Sequence, residues 1–185
     1  MRLGIDIDDT ITNTWEDFMP ILSETYHIPI DELKYGPAYY DAVKEFVTLE
    51  EYLAMSKESE HILFKVKLKP NVIDVLNKLK QDGHTLIFIT ARGAEYSNPY
   101  ERTKEYLDNH NVPYDKIIVR AFQKGQVCQE EKIDLFIDDN VKNCQNVKQV
   151  GIDVLLMEAL FNKKDKEFTH VENWNQVYEY IKSRW

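Results

Sequence analysis

Cysteine is scarce in this chain. Cys128 and Cys144 are the only two in 185 residues, which excludes a disulfide framework and leaves both as reduced core thiols. Neither they nor the five histidines show metal-ligand spacing, so a zinc site is rejected. No apolar run approaches the roughly 20 residues that span a bilayer. The first residues enter a strand-like segment directly, with no basic and apolar leader pattern. The expectation is a cytoplasmic protein with no membrane partner. Positive charge is also short, with 23 Lys and Arg against 32 Asp and Glu, a net charge of −9. That argues against polymeric nucleic acid, because no basic excess exists to neutralise a phosphate backbone. A small phosphorylated substrate stays open, since a metal and a few local cations suffice for it. The six glycines form neither a P-loop nor a dinucleotide fingerprint.

What is present is concentrated at the start, in Leu3-Gly4-Ile5-Asp6-Ile7-Asp8-Asp9-Thr10. A short apolar run stops at three carboxylates and a threonine. Asp6 and Asp8 are two apart, and on a strand such residues share a face. The end of a strand in an open α/β sheet is where ligands bind. Adjacent carboxylates raise each other's pKa unless a cation neutralises them. Mg²⁺ suits this role, since it takes one or two carboxylates together with substrate phosphate and water.

Five apolar runs predict buried parallel strands: Leu3–Asp8, Thr85–Thr90, Lys116–Arg120, Asp134–Asp139 and Asp153–Met157. Helical patterns separate most of them. They cover Asn71–Asp82 with Gly83 as stop, a segment opened by Asn98 and Pro99 that runs to Asn109, and Asn140–Val150 ending at Gly151. A last helix starts at Asn173. This alternation predicts an α/β fold, a Rossmann-like doubly wound parallel sheet of five strands. Residues from about Asn13 to Lys69 are too many for a simple crossover. They are rich in aromatics, with helical segments expected at Trp15–Tyr26 and Leu49–Leu63 and breaks at Pro29, Gly36 and Pro37. The expected organisation is a core of residues 1–13 and 69–185 with a small helical cap over residues 14–68. Trp15 could stack on a substrate ring, but aromatics in a small helical cap more often form its own core.

The second strand ends in Ile89-Thr90-Ala91-Arg92-Gly93 and the fourth in Phe136-Ile137-Asp138-Asp139-Asn140, with Lys124 between them. In a parallel sheet Asp6, Asp8, Thr90, Asp138 and Asp139 emerge on one edge. Phosphoryl transfer needs such a set: a carboxylate nucleophile, a metal bridging nucleophile and phosphate, a hydroxyl and an ammonium on the remaining oxygens, and a second carboxylate as acid and base. Taken singly, each residue has a structural reading, as a turn, a helix cap or a strand threonine. Three acidic residues at two strand ends are a costly cluster without a metal.

Asp6-Ile7-Asp8-Asp9-Thr10, Thr90, Lys124 and Asp138-Asp139 resemble, in order, the four motifs of the haloacid dehalogenase superfamily of phosphotransferases. The resemblance covers Met1–Asn13 and Lys69–Met157, and the insertion has the place of that family's C1 cap. Ile-Thr-Ala-Arg-Gly with Leu-Phe-Ile-Asp-Asp-Asn is similar to the branch of 5′(3′)-deoxyribonucleotidases and related nucleotidases. The resemblance implies Asp6 as nucleophile and Asp8 as general acid/base, its backbone carbonyl a Mg²⁺ ligand. It implies Thr90 as a phosphate contact, and Asp138, Asp139 or both as completing a Mg²⁺ site with Asp6 and Asp8. Asp139 is favoured, and Asn143 orients ligands. The motif lysine is Lys124 or Lys132, with Lys116 a weaker candidate, and Arg92 either touches substrate phosphate or pairs with a carboxylate. The implied activity is Mg²⁺-dependent hydrolysis of a small phosphomonoester, a nucleoside monophosphate in the nucleotidase branch, with a sugar phosphate or another phosphoester as alternatives. A phospho-accepting receiver domain fits less well, because its acceptor lies on a later strand. A non-catalytic ligand-binding relative is the remaining alternative. The oligomeric state, a homo-oligomer included, is left open.

Overall fold

The computed structural model describes residues 1–93 and 97–184. Its centre is a parallel sheet built from β1 (Arg2–Ile5), β2 (Thr85–Ile89), β3 (Lys116–Ile118), β4 (Leu135–Asp138), β5 (Asp153–Met157) and β6 (Thr169–Val171). The spatial order is β3-β2-β1-β4-β5-β6, with every neighbouring pair parallel. The sheet therefore has six strands rather than the five expected. β6 has only three residues, Thr169, His170 and Val171, of which only Val171 is buried, so it carries too little apolar periodicity to announce itself. The central strands read as continuous apolar runs because both of their faces are covered. All four residues of β4 and the last four of β2 are buried.

The strand order reverses at β1. The chain steps outward from β1 to β2 and β3, then returns to β4 on the other side. Crevices at such reversals are the ligand sites of doubly wound sheets. Helices α5 (Val72–Gln81), α6 (Pro99–Asn109), α7 (Lys124–Glu130), α8 (Val141–Lys148) and α9 (Trp174–Arg184) make the crossovers and the C-terminal cover. α5 buries Val72, Val75, Leu76 and Leu79, and Gly83 ends it at φ +86°. Asn140 caps α8, its side chain accepting from the Lys142 and Asn143 amides. Asn98 precedes α6 in a left-handed conformation without a capping bond.

Between β1 and β2 the chain forms α1 (Thr14–Tyr26), α2 (Ile30–Tyr35), α3 (Tyr40–Val43) and α4 (Leu49–Glu58), then a single 3₁₀ turn at Glu60–Ile62. The segment expected as one helix over Leu49–Leu63 is thus α4 and that turn. Thr48 caps α4 in a reciprocal box with Glu51. The insertion has its own apolar cluster, including Trp15, Phe18, Leu22, Leu33, Val43 and Tyr52. Where the insertion leaves and rejoins the sheet, Asn13 donates to Lys67 and Lys69 to Ile11, an antiparallel pairing centred on Thr12 and Leu68.

Candidate active site

β1 stops at Ile5, three residues earlier than its sequence pattern predicts. The chain then turns tightly. The amides of Thr10 and Ile11 return to the Ile7 carbonyl, as does the Thr12 hydroxyl, and Asp9 takes φ 55°. The turn corrects the expectation that Asp6 and Asp8 stand side by side on a strand face. Asp6 accepts from Lys124. Asp8 is held instead by Arg92 and the Thr14 hydroxyl.

Lys124 Nζ lies 2.5 Å from Asp6 Oδ1 and 2.6 Å from Asp138 Oδ2. Its side chain is 3% exposed, so this is a fully buried bridge. Lys124 opens α7, and Gly125 sets how close α7 lies to α8, because a Cβ there would meet the Asn146 carbonyl at 2.5 Å. The Gly125 amide also donates to Asn146 Oδ1 at 2.7 Å. Of the two lysines left open by the sequence, Lys124 is the one in the site. Lys132 instead occupies a left-handed turn position after α7. Lys116 pairs with Glu131 at the surface.

Asp138 also accepts from the Asn143 side chain and the Asn140 amide. Asp139 accepts from the Thr10 hydroxyl at 3.1 Å, and its carbonyl is tied by Asn162 Nδ2 at 2.7 Å. Thr90, at the end of β2, is buried and accepts the Arg92 amide. The Arg92 guanidinium grips both Asp8 oxygens, at 2.7 and 2.8 Å. Such a planar two-point bond is the strong form of this contact.

The electrostatics follow from burial and count. Five carboxylates, on Asp6, Asp8, Asp9, Asp138 and Asp139, surround two buried cations, Arg92 and Lys124. Burial pushes Asp6 up to about 7 despite Lys124, with Asp138 and Asp8 adding to the rise. Asp139 is raised well above the usual carboxylate range by burial and then by Asp138, Asp9 and Asp6. Asp8 goes the other way: burial opposes its ionisation, but the Arg92 charge and hydrogen bonds bring it below its ordinary value. Lys124 is raised despite burial, by Asp138 and Asp6.

One oxygen each from Asp6, Asp138 and Asp139 lie within 4.8 Å of one another, all buried. Three carboxylates around a single ammonium are a hard, oxygen-only donor set that fits Mg²⁺. The Asp8 carboxylate lies outside this cluster, on Arg92; the Asp8 part of the expected metal site is its backbone carbonyl.

Two members of the site carry roles that sequence reasoning missed. Asp9 is buried, accepts the Trp15 amide and the Tyr39 hydroxyl, and is raised by burial to about 7. It sits inside the first motif, yet only the left-handed turn reveals that it faces the insertion. Asn162 fastens the end of β5 to Asp139, from beyond the last recognisable motif. Trp15 is 1% exposed within the insertion's core, its ring 5.1 Å from that of Tyr39, so its packing role prevails over free stacking. Above the Asp8–Arg92 pair lies a cavity of about 230 Å³, walled on the insertion side by Phe18, Tyr39, Tyr52, Ser56 and Leu63.

Residues 1–184 match the model of a family described as "5' nucleotidase, deoxy (Pyrimidine), cytosolic type C protein". The chain is 32% identical over 187 residues to the Bacillus subtilis (strain 168) protein named "Putative nucleotidase YqfW", covering 98% of this chain and 93% of that one. Among solved structures, a predicted phosphatase from Clostridium acetobutylicum superposes with a TM-score of 0.73 at 14% identity, covering 98% of both chains. The magnesium-bound HAD-hydrolase YfnB from Bacillus subtilis superposes with a TM-score of 0.64 at 18% identity, again over 98% of both chains. At such identities the structural likeness is one of fold.

Proposed function

Because the chain belongs to the cytosolic type C 5′ nucleotidase family, we propose that it is a Mg²⁺-dependent phosphomonoesterase that hydrolyses nucleoside monophosphates through an aspartyl-phosphate on Asp6. The observation that carries this reading is the buried bridge of Lys124 between Asp6 and Asp138, with Asp139 closing a three-carboxylate cluster at the reversal of the sheet. Asp6, Asp138 and Asp139 would hold the metal. When bound, Mg²⁺ would offset the charge of the incoming phosphate and of these carboxylates.

In this proposal Asp6 attacks phosphorus in line with the departing ester oxygen. Lys124 keeps Asp6 oriented and lowers the cost of its ionisation, against a burial that favours its protonated form. The Thr90 hydroxyl and the Arg92 guanidinium bind phosphate oxygens and stabilise charge as the bond breaks. Asp8 protonates the leaving oxygen, then takes a proton from the water that cleaves the aspartyl-phosphate. With Arg92 gripping both its oxygens, Asp8 is held ionised. Its acid role therefore requires the substrate phosphate to draw Arg92 away, which couples proton uptake to substrate binding.

Residues 14–68 act as the cap and residues 1–13 and 69–185 as the core. The antiparallel crossing at Thr12 and Leu68 supports this division, as does the separate apolar cluster of the insertion. The cavity between the two is where the nucleoside sits. Its mostly apolar wall, with the Asp8–Arg92 pair at one side, supports a ligand with one flat apolar part and one anionic end. Cytoplasmic location belongs to the same reading, and no described helix is long and apolar enough to cross a membrane.

Phosphate release from nucleoside monophosphates, sugar phosphates and p-nitrophenyl phosphate tests the assignment. Turnover that needs Mg²⁺, stops with chelator and favours nucleotides is expected. Preference for sugar phosphates would keep the chemistry and discard the nucleotide.

A further inference from the structure

Among the polar groups that line the cavity over Asp8 and Arg92 and that the chemistry above does not use is the Ser56 hydroxyl. Ser56 lies near the end of α4, on the insertion side, with Tyr52 one turn earlier on the same helix. Its hydroxyl is buried and has no hydrogen-bond partner among the described residues. A serine inside a helix ordinarily turns its hydroxyl back to the carbonyl one turn before it, here that of Tyr52, yet that bond is not made. Buried hydroxyls left unsatisfied are uncommon, and each calls for a reason. Among the described residues Trp15 Nε1 and Thr103 Oγ1 also have no partner, but neither Trp15 nor Thr103 lines this cavity.

We propose that Ser56 is a specificity-determining residue whose hydroxyl hydrogen-bonds a polar edge atom of the substrate's base. The inference rests on the nucleotidase reading. The insertion side of the same cavity includes Phe18, Tyr39, Tyr52 and Leu63, so a base lying there loses water from its polar edge. A base that presents a hydrogen-bonding atom to Ser56 recovers the loss, and one that presents a hydrogen or methyl group leaves the hydroxyl unpaired. Sites built around such a bond discriminate strongly, because the mismatched ligand strands a buried polar group. The hydroxyl both donates and accepts, so it selects for a polar edge without fixing which kind. Position is also suited to selection without chemistry: Ser56 is on the insertion, while Asp6, Asp8, Lys124, Asp138 and Asp139 all belong to the sheet edge and its helices.

The test is kcat/KM for wild type, Ser56→Ala and Ser56→Thr on nucleoside monophosphates with different bases, with ribose 5-phosphate and deoxyribose 5-phosphate as baseless controls. Ser56→Ala is expected to lower kcat/KM for the preferred nucleotide by roughly 10-fold. It should compress the ranking of bases and leave the baseless esters within about twofold. Ser56→Thr, which keeps a hydroxyl, should restore much of the ranking. The melting temperature of substrate-free Ser56→Ala should equal or exceed that of wild type, since an unpaired hydroxyl is removed and alanine favours the helix. An unchanged ranking of bases would overturn the proposal and leave the hydroxyl to an ordered water. An equal loss on baseless esters, or a lowered melting temperature, would assign Ser56 a structural role instead. If wild type itself shows no preference for any nucleotide over the baseless esters, the nucleotidase reading fails, and that result is distinct from the failure of Ser56 alone.

Discussion

Lys124 is the residue on which the charge balance of the site turns. It is the buried ammonium between two buried carboxylates, and removing it strands both. Breaking a buried pair in this way costs roughly 3–5 kcal/mol. Lys124→Ala should therefore lower the melting temperature of the metal-free protein and reduce turnover by on the order of 100-fold or more. Lys132→Ala, on a turn after α7, should leave turnover within about twofold. The reverse pattern would move the motif lysine to Lys132. Thermal melts and phosphate release on both variants decide it. At this scale the sequence was legible as far as residue types reach. Asp6, Asp138 and Asp139, from the ends of β1 and β4, come together with Lys124 from the start of α7. Which face Asp8 takes was not legible, because an alternation rule assumes that the strand continues, and β1 ends at Ile5.

The elements show why the strand ends and helix starts were easier to read than the connections. β2, β4 and β5 are runs of apolar residues covered on both faces, so burial alone marks them. β6 is three residues long, held by pairing to β5, and its signal is tertiary. In the insertion, α2 and α3 are short and depend on packing around Leu33 and Val43 rather than on local pattern. α7 is where an element controls chemistry most directly. Gly125 lets its first turn lie against α8, and a methyl group there would meet the Asn146 carbonyl at 2.5 Å. Gly125→Ala should shift the start of α7, carrying Lys124 with it. The expected cost is about 1–3 kcal/mol of stability with a fall in kcat larger than any change in KM. A variant with wild-type melting temperature and kcat would show that α7 relaxes without moving Lys124.

The whole molecule carries a surplus of negative charge, −9 in total, and the site concentrates part of it where water is excluded. Asp6 and Asp9 have folded-state values near 7, above their ordinary 3.8, through burial. A raised acid binds more protons folded than unfolded. Its contribution to stability is therefore full below about pH 4 and is lost as pH rises toward 7. Asp8, lowered by Arg92 against the effect of burial, contributes in the opposite sense, losing stability only as pH falls below the ordinary carboxylate range. The Asp6 and Asp9 contributions should thus weaken the metal-free protein between about pH 4 and about pH 7. Mg²⁺ should raise the melting temperature more near pH 8 than near pH 5, because the carboxylates must lose their protons to bind it. Equal Mg²⁺ shifts at both pH values would contradict a metal held by these carboxylates.

Trapping the enzyme in the middle of turnover tests the central claim most directly. Protein mixed with Mg²⁺ and excess nucleoside monophosphate is quenched in acid, digested, and its peptides mapped by mass spectrometry. The account predicts one phosphoryl group, on Asp6, present during turnover and absent after substrate is exhausted, with none trapped on Asp6→Asn and its phosphate release reduced by on the order of 10³-fold or more. A phosphoryl group on another residue, or near-normal release by Asp6→Asn, would contradict it.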